Sequence, residues 1–262
     1  MEQIKTEELK QIQLQIMDDV HSFCLENNIK YFLAYGTLIG AIRHKGFIPW
    51  DDDIDIAMPR PDYEKFIRLY KKHKNYQVFE HSINKKYHFC YAKVADTRTV
   101  MNEYMYKKEQ FGVYIDIFPI DGISKRHNQI ARSLQLVKFI NTKRAIISMH
   151  TRNILKNIVL LLGKIILSTT SIEKLLQKSY ENATLVNYNS SDEVGNIAYP
   201  TNEKEIINKK YLEQTIDHEF ENRIYKIPQG YDLWLRQLYG DYMKFPPKEQ
   251  QVTHHNFTAY WK

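Results

Sequence analysis

Two acids separated by one aliphatic residue are the first sign of chemistry in this chain. The segment Trp50-Asp51-Asp52-Asp53-Ile54-Asp55-Ile56-Ala57 alternates acid and aliphatic over its second half, the pattern of a half-buried strand. Alternate side chains on a strand share a face. Ile54 and Ile56 then turn to a core, while Asp53 and Asp55 point together into a cleft, roughly 7 Å apart at their α-carbons. Two carboxylates that close repel unless a cation lies between them. Hard divalent ions take oxygen ligands, and Mg²⁺ draws on one or two carboxylates plus phosphate oxygens and water. Tyr114-Ile115-Asp116-Ile117-Phe118 sets a further acid between aliphatics at strand spacing. A lone buried carboxylate is costly, and a strand beside Asp53 and Asp55 would let Asp116 complete a metal cradle. Three acids can hold two ions about 4 Å apart, which clamp the attacking and leaving oxygens of a phosphoryl displacement. Upstream, Gly36-Thr37 follows a short apolar stretch and opens a helix. Backbone N–H groups at a helix start, with the Thr37 hydroxyl, can hold a phosphate, and glycine permits close backbone approach. Asp51 and Asp52 also read as loop acids that cap local N–H groups.

The elements that must position these acids follow from periodicity. Leu9, Ile12, Ile16, Val20 and Phe23 share one helical face, which predicts a helix over residues 7–25, ended by Asn27 and Asn28. Residues 31–35 read as a buried strand, 38–43 as a short helix, 45–50 as a loop and 53–57 as a strand. Pro61 suits the first turn of a helix running to about His73. Residues 76–80, 88–94, 98–102 and 113–118 are further strand candidates, and Pro119 to Gly122 reads as a turn. From Lys125 to Tyr188 there is no proline and one glycine, a helical composition. Mixed structure returns from Pro200. Strands followed by helices argue for an α+β protein. Its expected parts are a core at 1–124, a helical lobe at 125–190 and a segment at 191–262 that packs back near the site.

The bulk properties narrow the setting. The chain has 262 residues, 43% of them hydrophobic, enough for a real core and against global disorder. A formal charge of +6 and a pI near 9.0 suit an anionic partner such as a nucleotide, a nucleic acid or a lipid surface, without choosing among them. Lys71, Lys72, Lys74, Lys85 and Lys86 read as a solvated face. Nucleic acid is disfavoured, because no recognition motif and no aromatic–basic repeat is present. Two cysteines, Cys24 and Cys90, make neither a disulfide framework nor a metal cluster. Met1 to Lys10 lacks an apolar signal region, so a cytoplasmic site is expected. Ile154 to Leu167 is apolar but interrupted by Lys156, Asn157 and Lys164. It falls short of the roughly 20 apolar residues that span a bilayer. It either lies on the membrane as a basic amphipathic helix, with Lys143, Arg144 and Arg152 nearby, or packs in the helical lobe or a dimer contact.

Read together, several motifs resemble the LicD family, phosphocholine transferases of bacterial surface glycans related to the fukutin group. The first is Tyr35-Gly36-Thr37-Leu38-Ile39-Gly40-Ala41-Ile42-Arg43-His44 followed by Gly46-Phe47-Ile48-Pro49-Trp50-Asp51-Asp52-Asp53-Ile54-Asp55. The second is Asp116-Ile117-Phe118-Pro119-Ile120-Asp121-Gly122. Weaker matches are Tyr239-Gly240-Asp241-Tyr242, Pro246-Pro247 and His254-His255. The resemblance implies a nucleotidyltransferase (polymerase-β-like) core, with a mixed sheet flanked by helices. It implies dependence on Mg²⁺, or Mn²⁺ in its place, held by Asp53, Asp55 and Asp116. It implies a CDP-linked donor, CDP-choline the commonest, whose phosphate distal to cytidine is attacked so that CMP leaves. Phosphocholine or a phospho-alditol would pass to a hydroxyl of a cell-surface glycan or its lipid-linked precursor, as in lipopolysaccharide, teichoic acid or capsule, at the inner face of the membrane.

Individual roles stay open on these grounds. Asp116 could also accept the acceptor's proton. Arg43 either clamps a diphosphate or pairs with Asp51 or Asp52. His44 reads as a loop hydrogen-bond partner, and Lys93 as a phosphate contact or a solvated lysine. Trp50 stacks on cytosine, cages choline or packs under its loop. Asp121, Asp241, His254 and His255 are further candidates by position in the motifs. Rival readings are a nucleotidyltransferase that releases pyrophosphate, a nucleic-acid-binding module and an inactive metal-binding scaffold.

Overall fold

Apolar periodicity, prolines and glycines place most of the elements. The computed structural model describes residues 2–103, 111–124, 128–148, 171–253 and 257–262. The first half runs β1 (Gln3–Ile4), α1 (Thr6–Glu26), β2 (Phe32–Leu33), α2 (Tyr35–His44), β3 (Asp55–Pro59), α3 (Arg60–Tyr70), β4 (Lys72–His73), β5 (Tyr76–Phe79), β6 (Ala92–Asp96), β7 (Thr99–Glu103) and β8 (Tyr114–Ile123). The second half adds α4 (Gln129–Ser148), α5 (Ile172–Ala183), β9 (Glu193–Gly195), β10 (Ile207–Asn208), α6 (Lys210–Glu213), β11 (Thr215–Phe220), β12 (Arg223–Pro228), α7 (Tyr231–Tyr239) and β13 (Phe257–Trp261).

The fold is α+β. Eight strands form a mixed sheet in the order β10-β9-β8-β6-β5-β4, with β3 parallel to β8 and β2 antiparallel to β3. β8 is central to it and is buried along its whole length. The α1 residues Leu9, Ile12, Ile16 and Val20 are buried, as their spacing predicts, and α1 packs against β8 and β6. Pro61 stands in the first turn of α3, where a missing N–H costs nothing. α4 and α5 pack on one another. Strands from the last third join the rest: β9 pairs with β8, and β13 pairs with β7 and β1.

Some expectations fail in informative ways. Pro119 to Gly122 is not a turn; β8 runs straight through it to Ile123. Proline lacks an N–H for a ladder, but Pro119 falls where β6 has stopped pairing, at Ile117, and β9 has not yet begun, at Asp121. The strand expected over residues 31–35 is only Phe32–Leu33, because Tyr35 already opens α2 with φ 48°. The helix expected to reach His73 ends at Tyr70, and the chain enters the β4–β5 hairpin. The strand expected from His88 begins at Ala92.

Candidate active site

The acids of the two motifs meet across the sheet. In the β3–β8 ladder Asp55 is the register partner of Asp116, and in the β6–β8 ladder Asp116 is the partner of Lys93. Register partners share a face, so Asp55, Asp116 and Lys93 form a row across three adjoining strands. Ile54, Ile56, Ile115 and Ile117, the strand neighbours of the acids, are all fully buried. The aliphatic side of the alternation fixes the strands, and the acid side is left to the site.

Backbone hydrogen bonds hold the row in place. Asp116 N–H donates to the Ile54 carbonyl at 2.9 Å, and Ala34 N–H to the Asp55 carbonyl at 3.0 Å. Thr37, in the first turn of α2 and 3% exposed, accepts from Asp55 N–H on its Oγ1 at 2.8 Å. Thr37 therefore positions the acid directly. The Asp51–Asp53 loop is tied to α1, where Gln13 Nε2 donates to the Asp52 carbonyl at 3.0 Å. Thr253 Oγ1 donates to Asp52 Oδ2 at 3.0 Å, linking the loop to the C-terminal segment. A Cβ on Gly36 would lie 2.8 Å from Asp51 Oδ2. A side chain at this position would have to push the Asp51 carboxylate off the start of α2.

Electrostatics single out Asp55. Burial first, and then the negative charge of Asp53, Asp116 and Asp51, push its carboxyl well above the usual carboxylate range, with Lys93 opposing. Lys93 is not solvated: it is 2% exposed and donates to Asp116 Oδ1 at 2.5 Å, with its ammonium 3.5 Å from the Tyr114 ring centroid. Burial of both partners strengthens such a charge-assisted bond.

The remaining candidates are distributed. Arg43 pairs with neither Asp51 nor Asp52. It donates to the Tyr242 carbonyl at 2.6 Å and lies over the Phe245 ring, and burial lowers its pKa. His44 stacks on Phe245 and meets Trp50 edge-on, and burial followed by the Arg43 charge lowers its pKa. Trp50 thus packs with His44 and Phe245 under its loop. Asp121 lies five residues along β8 from Asp116, fully buried against Arg60 at 2.6 Å, a structural ion pair away from the row. Asp241 is an exposed turn residue after α7. His254, His255 and Ile154 to Leu167 lie outside the described residues.

Among the nineteen tyrosines, Tyr239 stands within electrostatic reach of the acids. Burial, then the charges of Asp55, Glu205, Asp51 and Asp53, push its phenol up. Tyr35 is next to it, receiving a 3.0 Å hydrogen bond from Asn196 Nδ2 and donating to Glu205 at 3.3 Å. Sequence reasoning missed these tyrosines and also Glu205, buried on the turn before β10. Tyr35 and Tyr239 both stand in the matched motifs, which was the available signal; Glu205 had none.

A divalent ion can be tested against this donor set. Among the described residues no three His, Cys, Asp or Glu side chains are placed so that they could hold a metal ion by themselves. The chemistry still fits: the acids near Asp55 are all oxygen donors, and their charge is what raises its pKa. Mg²⁺ completes its shell from substrate phosphate and water rather than from a full protein cage.

An α+β sheet that lines up acids on adjoining strands beside a Gly-Thr helix start defines a carboxylate-centred site. Residues 28–155 match the family described as LicD/FKTN/FKRP, nucleotidyltransferase domain. A relative from Haemophilus influenzae, named lipopolysaccharide cholinephosphotransferase LicD, is 32% identical over 99% of this chain and 99% of its own. An uncharacterised protein of Rickettsia typhi is 32% identical over 43% of this chain and 44% of its own. An uncharacterised protein of Rickettsia prowazekii is 52% identical over 18% of each chain. The chain belongs to the LicD family. No helix among the described residues is long and apolar enough to cross a membrane.

Proposed function

We propose that this protein is a metal-dependent transferase with a nucleotidyltransferase core, moving phosphocholine from a CDP-linked donor to a hydroxyl of a lipopolysaccharide-type glycan or its lipid-linked precursor, with release of CMP. The observation that carries the proposal is the pairing of Asp55 with Asp116 across β3 and β8. The end-to-end similarity to a lipopolysaccharide cholinephosphotransferase supports the choice of group and acceptor. CDP-linked alditols are the alternative donors.

Asp53, Asp55 and Asp116 would hold Mg²⁺ or Mn²⁺. When bound, the ion neutralises charge on the diphosphate oxygens and lowers the proton affinity of the attacking hydroxyl. Thr37 and the α2 start hold Asp55 in register with Asp116. Lys93 orients the Asp116 carboxylate and adds a fixed positive charge where the transferred phosphate is drawn in. Asp116 is the nearest candidate to take the acceptor's proton. Arg43, His44 and Trp50 keep the loop before the acids packed on the C-terminal segment.

Product identity tests this reading against its rival. With CDP-choline, Mg²⁺ and deacylated lipopolysaccharide oligosaccharide, ³¹P NMR should report CMP and a phosphodiester on the glycan. Pyrophosphate from CTP or ATP, with no CMP from CDP-choline, would make the protein a nucleotidyltransferase of the ordinary kind.

A further inference from the structure

We propose that Tyr35, gripped by Asn196 and Glu205, is a positioning residue that holds Asp55 in place against Asp116. The proposal rests on the transferase reading above and deepens it by naming what fixes the metal-binding acids from outside their own strands. Tyr35 opens α2 with φ 48°. A residue with a side chain is strained in that region and persists there only where its surroundings hold it.

The contacts of Tyr35 reach both acids. Its ring meets Phe118 edge-on at 5.3 Å between centroids and lies 5.7 Å from the Trp234 ring. Phe118 is two residues beyond Asp116 on β8, so the two share a face of the strand. The Tyr35 ring therefore packs on the Asp116 side of β8. Two residues along the backbone, Thr37 Oγ1 accepts the Asp55 N–H at 2.8 Å. Tyr35 is thus tied by its ring to the strand of Asp116 and by its backbone to the residue that holds Asp55. A shift of the ring moves the start of α2, and with it Thr37.

The hydroxyl end of Tyr35 is fixed by the last third of the chain. It receives from Asn196 Nδ2 at 3.0 Å and donates to Glu205 Oε2 at 3.3 Å. Both partners are buried, Asn196 at 2% and Glu205 at 1% exposure. Each is itself held in orientation. Asn196 Oδ1 accepts the Tyr199 N–H at 3.0 Å, which leaves Nδ2 for the phenol. Glu205 Oε1 accepts from Thr201 Oγ1 at 3.0 Å, which leaves Oε2 for it. Gln237 of α7 donates to the carbonyls of Lys204 and Ile206, on either side of Glu205. A buried acid is costly without donors, and the side chains that supply them here are Thr201 and Tyr35.

The test uses the full chain as wild type, Tyr35→Phe, Glu205→Gln and the double variant. Tyr35→Phe keeps the ring and removes only the hydroxyl. Amide hydrogen exchange, read by NMR on the metal-free protein, reports the Asp55 N–H directly, and Mn²⁺ binding is read by electron paramagnetic resonance. Tyr35→Phe should speed exchange at Asp55 more than at the amides of β5 and β6, and weaken Mn²⁺ binding about tenfold, the equivalent of roughly 1.4 kcal/mol. Glu205→Gln, which keeps an acceptor oxygen for the phenol, should weaken it less. The double variant should be no worse than Tyr35→Phe alone, because both changes act through one hydroxyl. Exchange accelerated equally across the sheet would mark Tyr35 as a general structural residue and overturn the proposal. So would unchanged exchange at Asp55, or Mn²⁺ binding to Tyr35→Phe within about twofold of wild type. Faster exchange at Asp55 with no Mn²⁺ binding to wild type would instead count against the metal-dependent transferase reading, and leave Tyr35 as the residue that positions Asp55.

Discussion

Asp55 sits under like charge from Asp53, Asp116 and Asp51, in a buried setting that Lys93 only partly offsets. That arrangement suits function better than stability. In the metal-free protein the folded state holds the Asp55 proton more tightly than the unfolded chain, whose ordinary value is 3.8. From about that pH upward, until the raised folded value is passed, the folded state binds more protons and stability falls as pH rises. Asp55→Asn should therefore raise the thermal midpoint of the metal-free protein at pH 7 by about 2–4 °C. The advantage over wild type should shrink on acidification towards pH 4, as differential scanning calorimetry would show. A variant equally or less stable at pH 7 would mean that Asp55 is not strained by its neighbours. The placement of Asp55 and Asp116 on facing strands was legible in the sequence because alternation marks a strand face, whereas Asp53, expected on the same strand as Asp55, lies in the loop before β3. The role of Lys93 was not legible. A lysine reads as solvated until the β6–β8 register is known, and register is a long-range property.

At the scale of elements, the site depends on β3 and β8 staying in parallel register. Thr37 on α2 fixes the start of β3. At the far end, Arg60 opens α3 directly after β3 and bonds Asp121 of β8. Burial pushes the Asp121 carboxyl up, against the Arg60 charge and bond and the backbone N–H groups of Ala198 and Ile197. Removing one partner of such a pair leaves an uncompensated buried charge. Arg60→Ala should cost about 3–5 kcal/mol in urea unfolding; a loss below about 1 kcal/mol would show that the pair does not anchor β3 to β8. Helix α1 and the start of α3 were readable from periodicity and Pro61. The continuation of β8 through Pro119 was not, because the proline is tolerated only by a gap between two partner strands supplied by distant residues.

Across the whole molecule, residues far apart in sequence close around the acids. Glu205 and Tyr239 lie in the last third, yet the latter feels the charge of Asp51, Asp53 and Asp55. Phe245 packs on His44 and Trp50, and Arg43 holds the Tyr242 carbonyl. The matched motifs near the end of the chain hinted at this closure, but periodicity could not show which side chains meet. The chain as a whole carries a net charge of +6, which favours approach of an anionic donor once a cation has neutralised the acids. The most direct test is calorimetric titration of the protein with CDP-choline, in Mg²⁺ and in chelator, for wild type and Asp55→Asn. The account predicts saturable binding to wild type in Mg²⁺ that disappears in chelator and in the variant. Binding of equal strength in all four conditions would contradict a carboxylate-held metal as the seat of the donor.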